Sequence, residues 1–200
     1  MSLVNFAARE ITCKLVYYGP GRSGKTTNLQ YIHGRVPELR RGRMISLATQ
    51  SDRTLFFDFL PLELGQISGF TTRFQLYTVP GQVYYNATRR LVLQGADGVV
   101  FVADSQARRF EDNVESFQNL QENLLDQGVD IRELPLVIQY NKQDLPPGLV
   151  LTPAELDDAL NFRAVPSLSA DALHGQGVFE TLKQLSSLVL QRLAMAPPEG

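Results

Sequence analysis

Short apolar runs alternate along the chain with segments whose apolar residues recur every three or four positions. Ile11 to Tyr18, Gly98 to Ala103 and Leu136 to Tyr140 are almost wholly apolar and rich in β-branched residues. Such runs suit central parallel strands covered on both faces. Met44 to Leu47, Thr72 to Val79 and a short run around Ala164 to Leu168 complete six predicted strands, Thr72 to Val79 alternating through Phe74, Leu76 and Val79. Phe110, Val114, Phe117, Leu120 and Leu124 fall at helical spacing, as do Phe179, Leu182, Leu185, Val189 and Leu193; both sets read as core-facing helical stripes. Thr152-Pro153-Ala154-Glu155 has the form of a capping box with proline at the first helical position. The alternation predicts a doubly wound α/β fold, a mostly parallel six-stranded sheet with helices on both faces and ligands at the carboxyl ends of its strands.

At the carboxyl end of the first predicted strand stands Gly19-Pro20-Gly21-Arg22-Ser23-Gly24-Lys25-Thr26, followed by Thr27. It fits G-x-x-x-x-G-K-[ST], the phosphate-binding loop: glycines let backbone N–H groups converge on phosphate oxygens, and the following helix presents its positive end. Lys25 would bring its ammonium to the β and γ phosphates, and the Thr26 hydroxyl would ligate Mg2+. The loop alone serves ATP and GTP equally. Asn141-Lys142-Gln143-Asp144, at the end of the run Leu136 to Tyr140, favours guanine. An aspartate there accepts from both the ring N–H and the exocyclic amine of guanine. Adenine would leave that carboxylate unpaired, at about 1–3 kcal/mol or more. Asn141 would fix loop and base, the Lys142 stem would lie along the purine, and a backbone N–H near Ser169-Ala170 would reach the guanine carbonyl.

Composition changes little in this picture. Of 200 residues 44% are hydrophobic and 20% charged, the formal net charge is −2, and nothing gives bulk attraction to nucleic acid or an anionic membrane. Local basic clusters (Arg35, Arg40, Arg41, Arg43; Arg89, Arg90) read as solvated faces, a specific anionic partner being the alternative. The lone Cys13 falls in a strand and is expected to be a buried, inert thiol. A secretion signal, a bilayer-spanning run and lipidation motifs are all lacking, so a cytoplasmic protein without an intrinsic membrane anchor is expected, recruited to a cell pole by partners if at all.

With these pieces in order, the chain resembles the Ras-like small GTPases over almost its whole length, and within them the bacterial gliding-motility and cell-polarity branch of MglA type. The narrower resemblance rests on Gly-Pro-Gly-x-x-Gly-Lys-Thr-Thr-Asn from Gly19, on Asp52-Arg53-Thr54-Leu55-Phe56-Phe57-Asp58-Phe59-Leu60-Pro61, and on Tyr77-Thr78-Val79-Pro80-Gly81-Gln82. It implies a single P-loop G domain over residues 1–195 with a disordered tail at 196–200, monomeric alone. It also implies a GTP-hydrolysing switch with bound GTP or GDP and Mg2+, acting in polarity and motility. Gln82 then stands where such enzymes keep the glutamine that orients the attacking water, and Gly81 offers its N–H to the γ phosphate. Thr54 becomes the second metal ligand. Arg53 is either an arginine finger supplied in cis or an exposed loop residue. Gly21 leaves room beside the γ phosphate. The implied activator is a Roadblock/LC7-type, MglB-like homodimer, alongside effectors of polarity.

One departure stands out. Thr78 occupies the place where most Ras-like proteins carry a metal-shell aspartate, and either Asp58 or Asp104 can compensate. Apolar Leu55 to Leu64 reads as a strand plus turn on the core, or as a face read by partners. Two other functions fit parts of the chain: a nucleotide-locked scaffold with little hydrolysis, supported by Thr78, and a P-loop kinase, disfavoured by Asn141-Lys142-x-Asp144.

Overall fold

The computed structural model describes residues 3–47, 57–67 and 69–195. Eight strands form one sheet: β1 (Leu3–Asn5), β2 (Glu10–Tyr18), β3 (Ile45–Leu47), β4 (Phe57–Ile67), β5 (Phe70–Thr78), β6 (Gly98–Asp104), β7 (Leu136–Asn141) and β8 (Ser167–Ala170). Their order is β3-β4-β5-β2-β6-β7-β8, with β1 pairing β2 off this path. The block β5-β2-β6-β7-β8 is parallel, whereas β1, β3 and β4 run antiparallel to their neighbours. The fold class expected from the sequence is the one observed, with two strands more than the six expected. The first is β1, three residues long, at the chain start; its run is too short to carry periodicity. The second is β4, a real strand where sequence left strand and partner face open. Leu60 and Leu62 are buried in it, while Leu64 is exposed. Expected β8 was placed too early, at Ala164 to Leu168, because Pro166 precedes the pairing segment.

Five helices cover the two faces: α1 (Lys25–Arg35), α2 (Asn86–Leu93), α3 (Phe110–Leu125), α4 (Pro153–Leu160) and α5 (Val178–Met195). Period-two alternation in the strands divides the core. Leu15, Tyr17, Val100 and Val102 face one layer with Leu29 and Ile32 of α1 and Leu182, Leu185 and Val189 of α5. Val16, Tyr18, Val99 and Phe101 face the other, with Val92 and Leu93 of α2, Phe117, Leu120 and Leu124 of α3, and Leu156 and Leu160 of α4. Each fully buried aliphatic or aromatic side chain stabilises by about 1.5–3 kcal/mol, so the two faces lock the parallel block from both sides. Cys13 is buried, as expected. α4 carries the capping box read from its sequence: Thr152 accepts from the Glu155 N–H, and the Thr152 N–H donates to Glu155.

A buried polar cluster ties the layers together near the site. Asn28 and Gln139 exchange two amide hydrogen bonds of 2.8 and 3.0 Å, and Gln139 also donates to Thr181 at 3.0 Å. Every partner is satisfied, so the cluster fixes α1 against β7 and α5. No helix among the described residues is long and apolar enough to cross a membrane.

Candidate functional site

The carboxyl ends of β2, β5, β6, β7 and β8 converge on one edge, and the loops leaving them build the site. From β2 the chain turns through Gly19 (φ 141°), Arg22 (φ 64°) and Gly24 (φ 103°) into α1. A Cβ at Gly19 would stand 2.2 Å from the Val102 carbonyl oxygen, so this approach to β6 admits glycine alone. Helix α1 starts with no side-chain cap and no acidic residue in its first turn. Its free N–H groups and positive end are therefore left for an anion. Ser23 adds a buried hydroxyl with no protein partner. Lys25, only 6% exposed, donates to the carbonyls of Gly19 (3.0 Å) and Pro20 (2.7 Å). Burial, with Arg89 close by, pulls its ammonium down to a pKa of about 7.

The guanine-type motif lies at the end of β7 and is physically joined to this loop. Asn141 donates from Nδ2 to the Ser23 carbonyl at 2.7 Å and accepts at Oδ1 from the Ala172 N–H at 2.8 Å. One side chain thus fixes the phosphate loop and the loop after β8, the strand whose Ser169 and Ala170 pair with Tyr140 and Asn141. Lys142, with φ 70°, ion-pairs through Nζ with Asp104 at 2.6 Å. Asp144 is exposed at the rim, its carboxylate grouped with those of Asp171 and the ring of His174 within 4.8 Å. Asp171 accepts from the N–H groups of Leu173 and His174 and contacts the His174 ring, fastening that rim.

On the opposite side, a cleft of about 500 Å³ is lined by Lys25, Thr26, Thr27, Ser46, Asp58 and Gly81, among others. Asp58, 8% exposed, gathers three hydroxyls: Thr26 (2.6 Å) and Thr78 (2.8 Å) on Oδ2, and Ser46 (2.7 Å) on Oδ1. Of the two aspartates, Asp58 is the one that touches Thr26. Asp104 lies on the base side, held by Lys142 and Gln106. Asp58 stands beside the cradle hydroxyl, and its own N–H donates to Thr78 at 2.9 Å. In the β4–β5 ladder Phe59 opposes Tyr77, so Asp58 sits across from Thr78. The carboxylate has in effect moved one strand sideways. An all-oxygen donor set of this kind suits a hard cation such as Mg2+.

Gly81 packs against the phosphate loop so closely that a Cβ there would meet Gly21 Cα at 2.3 Å. Gln82, exposed, lines a second cleft of about 480 Å³ on the far side of that contact, with Arg109, Asp112 and Ser116. Gly81 and Gly21 thus lie together, as sequence suggests, whereas Gln82 is turned out of the phosphate cleft. Arg53 and Thr54 lie outside the described residues, as do Leu55, Phe56 and the tail 196–200.

Two functional groups escaped the sequence. Ser46, an ordinary serine in a short strand, carries no signal. Arg89 was assigned with Arg90 to a solvated face, and this is wrong. Arg90 does reach a surface partner, Asp126, at 3.2 Å. Arg89 is wholly buried and reaches the Gly19 carbonyl. A charged residue at a core position of an amphipathic helix violates the pattern from which the surface is read.

A family model described as the ADP-ribosylation factor family (Arf) matches residues 2–189. The chain is 58% identical over 193 residues, covering 96% of it and 98% of the relative, to the mutual gliding-motility protein MglA of Myxococcus xanthus (strain DK1622). It is 27% identical over 180 residues to ADP-ribosylation factor-like protein 6 of Caenorhabditis elegans, covering 86% of this chain and 84% of that one. To the Caenorhabditis briggsae protein of the same name it is 28% identical over 188 residues, 90% and 87% of the two chains.

The tie between the two loops is directly testable. A Cβ at Gly24 would stand 2.1 Å from Asn141 Nδ2 at a φ that side chains rarely adopt. Gly24→Ala should therefore lower unfolding stability by about 1–3 kcal/mol and displace Asn141, read by thermal denaturation together with guanine-nucleotide affinity.

Proposed function

Because this chain belongs to the ADP-ribosylation factor family of small GTPases, we propose that it is a polarity and motility switch whose GTP- and GDP-bound forms differ in partner affinity. Membership itself carries the coarser activity: the chain binds GTP and GDP and hydrolyses GTP, with regulatory and effector partners. The polarity role leans on the relative that bears the gliding-motility name.

The observation that carries the site assignment is the Asn141 bridge, which makes the phosphate loop and the purine loop parts of one pocket. In this reading Gly19, Gly21, Arg22, Ser23, Gly24, Lys25, Thr26 and Thr27 hold the phosphates. Asn141, Lys142, Asp144, Ser169 and Ala170 hold the base. Thr26 and Thr54 would hold Mg2+, with Asp58 supplying a carboxylate beside Thr26 and Thr78 orienting Asp58. When bound, the ion neutralises charge on the phosphate oxygens. Catalysis then needs little covalent chemistry: an aligned water, and positive charge where negative charge develops. Lys25 supplies charge on the phosphates, Gly81 its N–H, and Arg53 a guanidinium. Gln82 orients the water once Gly81 has lifted from Gly21 and let the side chain turn from the second cleft into the first. The whole chain acts as one G domain.

The activator in this account is a Roadblock/LC7-type homodimer. Single-turnover phosphate release from GTP-loaded protein should accelerate when that homodimer is added. Arg53→Ala should lose about 10³- to 10⁵-fold of the stimulated rate; an unchanged rate refutes the assignment.

Asp58→Asn should leave the fold intact, since an amide still accepts from Thr78, yet weaken Mg2+ dependence. The Mg2+ concentration that half-protects bound GDP from release should rise about tenfold or more, a loss consistent with outer-shell ligands in other metal sites. An unmoved Mg2+ profile would leave Asp58 a structural residue.

Lys25 provides a pH signature. Its pKa of about 7 in the nucleotide-free protein should rise toward the ordinary lysine value once phosphate lies against it, since opposite charge favours the ammonium. Binding therefore takes up a proton above pH 7, and affinity falls by up to about tenfold per pH unit from there upward. Calorimetry in buffers of different ionisation enthalpy reads this directly, and binding without proton uptake at pH 8 would contradict it.

A further inference from the structure

Arg89 on α2 has a setting that hydrogen bonding alone leaves unexplained. Its side chain is 0% exposed. NH1 donates to Asn119 Oδ1 at 2.7 Å; NH2 donates to Ser116 Oγ at 2.7 Å and to the Gly19 carbonyl at 3.3 Å. The guanidinium lies over the Tyr18 ring, 4.4 Å from its centroid. All of these partners are neutral, and among the described residues no carboxylate is within ion-pair distance of it, Glu115 acting on it only from beyond that distance. The polar cage serves NH1 and NH2 but leaves the buried Nε–H without a partner and the charge without a counter-charge in contact, and such a buried charge is unfavourable. Arginine cannot escape by losing its proton at physiological pH. Nor is Arg89 alone, because Lys25 Nζ donates to the same Gly19 carbonyl at 3.0 Å. Two cations thus meet on one oxygen beneath the phosphate loop.

We infer that the polyphosphate of the bound nucleotide is the counter-charge of Arg89, which acts on it through the Gly19 carbonyl and across Lys25 without touching it. Arg89 is then a positioning residue for nucleotide binding, and its contribution grows with phosphate charge, from monophosphate to diphosphate to triphosphate. The inference rests on the reading of residues 19–27 as the phosphate site. It also accounts for the location on α2: the helix that follows Gln82 is pinned to the loop the nucleotide occupies, and its hold strengthens when phosphate arrives.

A purely structural role, joining α2 to α3, makes a different prediction for Asn119→Asp. That variant puts a carboxylate where NH1 donates, and the Tyr18 hydroxyl and Asn123 amide that also donate to Asn119 keep an acceptor; it loses the donor to Asn86 Oδ1, which the Asn123 amide still serves. The structural role predicts a fold as stable or more stable and unchanged nucleotide affinity. The counter-charge role predicts the same or higher melting temperature in nucleotide-free protein, yet GDP binding weaker by about tenfold or more, with GMP less affected. Ser116→Asp supplies the carboxylate from the neighbouring position as a second variant, and Arg89→Lys should keep part of the affinity that Arg89→Gln loses. Calorimetric GDP and GMP affinities, beside melting curves, decide it. Undiminished GDP affinity in folded Asn119→Asp overturns the inference, as does failure of both carboxylate variants to fold, since the cage then lacks no counter-charge. Wild-type protein that binds no GDP would sink the phosphate-site reading and this inference with it.

Discussion

One buried amide side chain holds the site together. Asn141 closes β7, and its two polar atoms are spent on two different loops, the carbonyl of Ser23 in the phosphate loop and the N–H of Ala172 after β8. Backbone geometry lets it do so only because Gly24 leaves no Cβ in its path. The sheet supplies the rest: β6, β7 and β8 run parallel and in register, so Asp104, Asn141 and Ala170 arrive at the same level. A pocket for a ligand with a flat base at one end and charge at the other needs its two ends at a fixed separation, and this contact sets that separation.

Charge is sorted around that frame with little overlap. On the base side, Asp104 is neutralised by Lys142, which leaves the Asp144 carboxylate at the rim for recognition. On the metal side, Asp58 holds three hydroxyls from three strands and helices. Between the two lie Lys25 and Arg89, both buried and both aimed at the Gly19 carbonyl. Positive charge is thus concentrated beneath the phosphate loop, with Asp58 acting on Lys25 and Glu115 on Arg89 as opposing carboxylates.

Much of this was legible in the residue order because the phosphate loop and Asn141-Lys142-x-Asp144 act through backbone and local spacing, which sequence records directly. Central strands were equally plain, since strands buried on both faces must be apolar throughout. What escaped is what depends on neighbours across the sheet. The exchange of an aspartate at 78 for one at 58 becomes intelligible only when the antiparallel register sets the two opposite each other; the residues are 20 apart in the chain. Arg89 was misread because charge in a helix ordinarily means solvent, and its neutral partners come from α3 and the phosphate loop. Gln82 was assigned by its place after Gly81, and that place says nothing of the side to which its side chain turns. The arginine and threonine of the segment before β4 lie outside the described residues, so their roles rest on resemblance.

The claim on which the account turns is that phosphate loop and Asn141-Lys142-x-Asp144 form a single guanine-nucleotide pocket. Calorimetric titration of nucleotide-stripped protein with GTP and with ATP, each with Mg2+, tests it most directly. The account predicts GTP binding tighter than ATP binding by about tenfold to a hundredfold, the discrimination expected when the Asp144 carboxylate loses its guanine donors. Equal affinities for the two would contradict it.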